Sequence, residues 1–494
     1  MKYLIGVDFG TLSCRAVLVT QNGDMVDSAV MEYAHGCIDV SHGGVLQEPR
    51  DYLDCLRYTV RQVAAGHEDE IVSLGIDFTA CTALPVDEKL QPLGRAKLWK
   101  SHSAQAQAAR VEALCRELGI DLLRYGDTVS CQWLIPKLLE LKECEPEVYG
   151  RTAWYLEAAD WLVWLLTGEK VRSACFAGFK GLWQGKWPYE LLDRLGLEHR
   201  MLEGEVRTAG GFAGQLSAWG AEFLGLTEKT VVTAAVIDAH AALPAAGICN
   251  KGEMMLILGT SGCNLMLSKT DATVPGAYGK VMDGILPGYY VYESGTPALG
   301  DMFGWFVANC VPQSYYEASG GNVFAYLEKL AAEIRENDVW AVDWWNGSRS
   351  PYLDPNLTGC LFGMSLRTRP EHIYRALMEA AAFNTRQIFE NLERNGVTIT
   401  RVVAGGGIPK KNGLYMQILA DVLGRPIQIT DNEPACAIGS AILAAWGGGL
   451  YETPEAAVAA MSRAPGMTYY PDPKADYEAK YRRYVEMADR LAGK

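Results

Sequence analysis

One pattern occurs twice in this chain. Residues 10–18 read Gly-Thr-Leu-Ser-Cys-Arg-Ala-Val-Leu, and residues 259–267 read Gly-Thr-Ser-Gly-Cys-Asn-Leu-Met-Leu. Gly, Thr, Cys and Leu fall at the same offsets in both. Each copy follows an apolar run and leads into another, which reads as a β-hairpin with a Gly-Thr tip. One copy begins the chain and the other begins its second half, so the pattern points to two similar domains. At 494 residues the chain is too long for one ordinary core.

Such tips suit phosphate. Glycine lets the backbone approach an anion, backbone N–H groups donate to its oxygens, and Thr and Ser add neutral donors. Asp8, at the end of the first strand, repels phosphate unless a divalent cation lies between them. The pattern therefore predicts either nucleotide phosphates with Mg2+ near Asp8, or a plain hairpin whose Asp caps its own backbone.

Charge narrows the function classes. The formal net charge of -14 disfavours non-specific binding to nucleic acid or to anionic membranes. Asp8 and Arg15 interrupt the first apolar run, so it does not read as a secretion signal. Asp238, His240 and Pro244 break the apolar run that ends at Ile248, which argues against a membrane span. The 13 cysteines are scattered, without metal-like pairing, and read as free thiols in a reducing cytoplasm.

Strands and helices alternate along both halves, an α/β pattern. Residues 51–65 place Leu53, Leu56, Val60, Val63 and Ala64 on one helical face. Residues 71–77 form a short strand ending in Asp77, and a Trp/Leu-rich helix over 160–167 stops at Gly168. Residues 368–371 have capping-box spacing before a helix that buries Ile373, Leu377, Ala380 and Ala381. A strand over 401–404 runs into the triglycine 405–407, a candidate nucleotide loop. Gly, Asn and Lys at 247–252 mark the seam, giving domains 1–247 and 248–494.

Four acids, Asp8, Asp77, Asp238 and Glu293, are expected at the C-terminal ends of apolar strands, the edge where open α/β sheets bind ligands. Asp238 opens an Ala-rich helical run. It reads either as an N-cap or as a general base for an attacking hydroxyl. Lys180 follows Ala-Gly in an apolar, aromatic segment and is either solvated or in contact with a polar ligand. His102 and His240 lack the spacing of a metal pair.

These residues resemble the FGGY carbohydrate kinases. The C-terminal signature of that family matches residues 359–379, with Gly359, Leu361, Gly363 and Met364, then His372, Ile373, Ala376, Leu377, Met378 and Glu379. The other landmarks follow in order: the hairpin at Asp8, the acid at Asp238, the hairpin at Gly259 and the glycine loop after Ala404. The N-terminal signature is looser, around 133–137. Within the family, the stretches 77–85, 98–104, 177–183, 237–240, 293–303 and 343–351 are most similar to members that phosphorylate ribulose. Many sugar kinases have an acid where this chain has Ser101.

The resemblance implies two actin-like, ribonuclease-H-like domains flanking a central cleft, and an ATP-dependent cytoplasmic kinase of arabinose catabolism. L-ribulose, converted to L-ribulose 5-phosphate, is the expected reaction. Other ketoses and pentitols (D-ribulose, xylulose, ribitol) are alternatives, and an actin-like ATPase driving a partner is the reading from another class. The resemblance also implies that Asp238 is the base and that Lys180, Glu293 and the backbone near Ala80 hold the sugar. Gly10, Thr11, Gly259, Thr260, Ser261, Gly405, Gly406 and Asn412 are implied for ATP, and Asp8 with Asp238 for Mg2+. Sugar and ATP are the expected partners, without nucleic acid or membrane, and a homodimer is left open.

Overall fold

The computed structural model describes residues 1–334, 336–430 and 432–494. The chain forms two compact α/β units. The first comprises residues 1–250, 280–291 and 432–464, and the second 251–279, 292–431 and 465–494. The chain thus returns to its first unit after the seam at 247–252.

The first unit is built on a sheet ordered Phe212–Gln215, Val231–Thr233, Ile71–Phe78, Tyr3–Phe9, Ser13–Thr20, Met25–Glu32. The short strand Val236–Ile237 also pairs with Ile71–Phe78. Tyr3–Phe9 and Ser13–Thr20 form the expected antiparallel hairpin, and Tyr3–Phe9 runs parallel to Ile71–Phe78. Leu4, Ile5, Val7 and Phe9 are fully buried, as a central strand covered on both faces requires. Helix Pro49–Ala64 packs on this sheet through Leu56, Val60, Val63 and Ala64, while Leu53 is half-buried.

The helix Ala435–Gly447 lies against the same sheet, and its small residues explain how closely. A Cβ on Gly6 would overlap the Ala437 carbonyl, and one on Gly75 would overlap the Ser440 carbonyl. Glycine in the strands and Ala, Gly and Ser in the helix let backbone meet backbone.

The second sheet is ordered Gly279–Met282, Tyr290–Thr296, Gly262–Ser268, Glu253–Leu258, Arg401–Gly405, Ile427–Ile429, Met467–Tyr469. Its hairpin Glu253–Leu258/Gly262–Ser268 is antiparallel, and its first strand runs parallel to Arg401–Gly405. From Tyr290–Thr296 onward the order repeats that of the first sheet. Two expectations shift here. The long helix is Pro370–Arg394, with Arg369 rather than Thr368 at its N-cap, because Pro370 supplies a first helical residue with a pre-set φ. Leu377, Ala380 and Ala381 are buried, but Ile373 is only half-buried.

No helix among the described residues is long and apolar enough to cross a membrane. All 13 cysteines are free thiols.

Candidate active site

Parallel pairing brings strand C-termini together. In the first sheet Asp8 is the register partner of Asp77, and Val236 pairs with Asp77 and Ile237 with Phe78. Asp238 follows at once, as the first residue of helix Asp238–Ala245. Three acids thus share one sheet edge. Asp238 is half-buried, and its Oδ1 accepts the Ala239 N–H at 2.7 Å.

Asp77 is the buried member, and Ser440 donates its hydroxyl to Asp77 Oδ2 at 2.6 Å. Burial, and then the charge of Asp8, push the Asp77 carboxyl well above the usual carboxylate range. Burial also raises Asp8, while a hydrogen bond with Asp77 and then the charge of Arg15 oppose the rise. The Cys436 thiol is pushed well up by burial and by Asp77, Asp8 and Asp238.

The hairpin tip Gly10–Thr11 is tied down from behind. Tyr33 donates its hydroxyl to the Gly10 carbonyl at 3.0 Å, and Gln47 Nε2 donates to the Thr11 carbonyl at 2.6 Å. Trp99 Nε1 donates to Thr11 Oγ1 at 3.3 Å. In the second unit, Gly259 N–H donates to the Ser261 carbonyl at 3.0 Å. The Gly259 and Thr260 carbonyls accept from the start of helix Gly300–Cys310: Leu299 N–H to Thr260 at 2.9 Å and Gly300 N–H to Gly259 at 3.0 Å. Gly406 has φ +95°, and a Cβ there would press on the Leu258 backbone at 2.6 Å. Only glycine suits that turn. Asn412 is buried and caps helix Gly413–Leu423, its Oδ1 accepting Tyr415 N–H at 2.9 Å and its Nδ2 donating to the Tyr374 hydroxyl at 3.0 Å.

Lys180 ends helix Ala174–Lys180 and is half-buried. This helix is linked to the Asp238 helix through Cys175, whose Sγ lies 3.1 Å from His240 Nδ1. The Phe179 ring meets the His240 ring edge-on at 4.6 Å. Ala80 sits in the turn after Ile71–Phe78, where Thr79 and Thr82 share a hydroxyl hydrogen bond of 3.0 Å. The buried Lys137 ammonium gathers this turn and its neighbour, donating to the carbonyls of Cys81, Leu98 (2.8 Å) and Lys97 (3.2 Å).

Glu293 corrects an expectation. It does not end its strand, because Tyr290–Thr296 continues past it. The run after Glu293 is Ser-Gly-Thr, which looks like a turn in sequence but is held as strand beside Gly262–Ser268. Glu293 is buried, with Cys263 Sγ 3.9 Å from its Oε1.

Sequence reasoning noted Asp77 but gave it no role, and it overlooked Ser440. The available signal was the alternation of strand and helix, which makes the strands at 3–9 and 71–78 parallel neighbours whose end acids converge.

The chain belongs to the FGGY family of carbohydrate kinases. The model of that family's N-terminal domain matches residues 3–244 and that of its C-terminal domain residues 254–448. The chain is 39% identical to a ribulokinase from Halalkalibacterium halodurans, over 99% of this chain and 94% of that one. It is 40% identical to a ribulokinase from Bacillus licheniformis, over 96% and 94%. A crystal structure of a xylulose kinase from Rhodospirillum rubrum superposes with a TM-score of 0.89, at 26% identity, covering 99% of both chains. The protein is accordingly an ATP-dependent sugar kinase.

Proposed function

We propose that the protein phosphorylates L-ribulose at its terminal O5, giving L-ribulose 5-phosphate and ADP. Asp238 accepts the proton of the O5 hydroxyl as the new P–O bond forms. The bond between the γ-phosphorus and the β–γ bridging oxygen breaks, and ADP leaves with that oxygen. The observation that carries the chemistry is the place of Asp238, half-buried at a strand-to-helix junction on an edge that already holds Asp8 and Asp77. The choice of ribulose is supported by the ribulokinase relatives.

Lys180, Glu293 and the backbone at Ala80 hold the sugar in this reading. Gly10, Thr11, Gly259, Thr260, Ser261, Gly405 and Gly406 serve ATP, with Asn412 beside them. Asp8 holds Mg2+, with Asp238 facing the ion. The residues fit that ion: Asp8 is a hard oxygen donor, its register partner is Asp77, and the buried Asp77 Oδ1 has no hydrogen-bond partner among the described residues. When bound, Mg2+ neutralises charge on the transferring phosphoryl. A reducing cytoplasm suits the free thiols.

A coupled ADP-release assay over ketopentoses and pentitols tests the reading. L-ribulose should give the highest kcat/KM, ahead of D-ribulose. A higher value for xylulose or a pentitol than for both ribuloses would overturn the ribulose assignment.

A further inference from the structure

Asp77 is fixed from two sides. The parallel ladder sets it opposite Asp8, and Ser440, on the helix Ala435–Gly447, holds its Oδ2 at 2.6 Å. A Cβ on Gly75 would overlap the Ser440 carbonyl, so the helix backbone lies directly on this strand and Ser440 cannot drift away. The other oxygen, Oδ1, is buried and has no hydrogen-bond donor among the described residues. A carboxylate oxygen of Asp8, one of Asp77 and Sγ of Cys436 lie within 4.8 Å of one another.

Ionised carboxylates are acceptors only, so two of them side by side cannot satisfy each other. At low local dielectric the arrangement requires a cation between them, either a proton or a metal ion. The donors discriminate among metals. Carboxylate oxygens suit Mg2+ and Mn2+, whereas the sulfur of Cys436 is a soft donor, a poor ligand for a hard ion, and serves as wall.

We propose that Asp77 is itself a ligand of the divalent cation, sharing the ion with Asp8 through Oδ1 while Ser440 holds Oδ2. This rests on the assignment of the cation to Asp8. Ser440 is then a positioning residue, acting on the ion only through Asp77. The three groups come from three distant parts of the chain, which brings the returning helix into the phosphoryl-transfer machinery.

The test is Mn2+ binding to the full chain without nucleotide, read by electron paramagnetic resonance, together with thermal melting. The variants are Asp77→Asn, Asp8→Asn and Ser440→Ala. Asparagine at 77 can still accept from Ser440 and can donate to Asp8, so Asp77→Asn should fold and melt no lower than the parent in the absence of metal. Mn2+ affinity should fall by about 100-fold in Asp77→Asn and about tenfold in Ser440→Ala, on the scale of a lost ligand and a lost outer-shell partner. Mn2+ should raise the melting temperature of the parent and leave that of Asp77→Asn unchanged. If Asp8→Asn loses Mn2+ while Asp77→Asn binds it within about twofold of the parent, the inference is wrong and the Asp8 assignment stands. Asp77 would then be a protonated structural carboxyl. If neither variant alters Mn2+ binding, the Asp8 assignment is wrong as well.

Discussion

The two sheets share one strand order but not one chemistry. Gly10 and Gly259 are equivalent by sequence, so Asp8 corresponds to Ile257. In the first sheet Asp8 pairs with Asp77, and in the second Ile257 pairs with Gly405. The same two-strand edge carries two carboxylates in one unit, and an apolar side chain with bare backbone in the other. The tips differ too. Phe9 pairs with Cys14 across a four-residue tip, and Leu258 with Gly262 across a three-residue tip. That slip of one residue turns Cys14 and Cys263 to opposite faces of otherwise equivalent hairpins. Cys14 lies 3.7 Å from Thr59, whereas Cys263 reaches Glu293. Repetition of a frame therefore leaves its edges free to specialise: one as an acidic edge suited to a cation and a general base, the other as a glycine edge suited to close approach of phosphate.

The largest expected effect removes the proposed base from the acidic edge. Asp238→Asn should keep the fold and sugar affinity and lower kcat by about 10²–10⁴-fold. Near-normal kcat in a pure preparation would return Asp238 to the role of helix cap.

Next come Lys180 and Glu293, the proposed sugar contacts. Lys180→Met and Glu293→Gln should each reduce kcat/KM for ribulose by about ten- to a hundredfold, the scale of a buried polar group left unpaired. ATP hydrolysis without sugar should change much less. If only one of the two variants moves kcat/KM, the other residue is structural.

A smaller effect separates the hairpin tips from the sugar. Thr260→Val and Thr11→Val should each raise the KM for ATP by about three- to tenfold, the value of a lost hydrogen bond. Calorimetry without nucleotide should find sugar affinity unchanged. Equal damage to sugar binding would contradict the division of labour between tips and pocket.

The smallest effect concerns stability. In the first unit Glu157 and Asp160 are each pushed up to about 7, chiefly by burial, and Lys137 is pulled down to about 8. In the second unit the buried Asp343, also raised by burial, has neutral partners, the Tyr484 hydroxyl at 2.7 Å and Asn384 Nδ2 at 2.9 Å. Below pH 7 the native Glu157 and Asp160 hold protons that an unfolded chain releases near pH 4. Their contribution to stability therefore falls as pH rises from about 4.5 to 7. Lys137 acts in the other sense above pH 8, where the unfolded chain retains a proton that the native state has lost, so stability gains as pH rises towards 10. Denaturant melts should find the fall between pH 5 and 7 shallower in Glu157→Gln than in the parent. Identical slopes would mean that native Glu157 stays ionised over this range.

Much of the local structure was legible. The period of the apolar residues located helix Pro49–Ala64, and Gly168, with φ +80°, ends the helix Ala158–Thr167. Both Gly-Thr hairpins are present. These features depend on neighbours a few residues apart, so a short stretch of chain contains their cause. Residues 359–379 were enough to indicate the family, because that signature is a dense local pattern.

The sequence by itself determined the elements, the two-unit α/β plan, the family and the set of strand-end acids from which a site could be drawn. Tertiary structure alone decided which of those acids meet. Asp8 and Asp77 become partners only through the register of a parallel ladder, and Ser440 reaches Asp77 across 363 residues of chain. Glu293 lies inside its strand because a neighbouring strand pairs onward to Thr296, against the local turn signal of Ser-Gly-Thr. The cause is the same throughout. Backbone pairing and burial join segments distant in the chain, and no window of sequence contains both partners of such a contact.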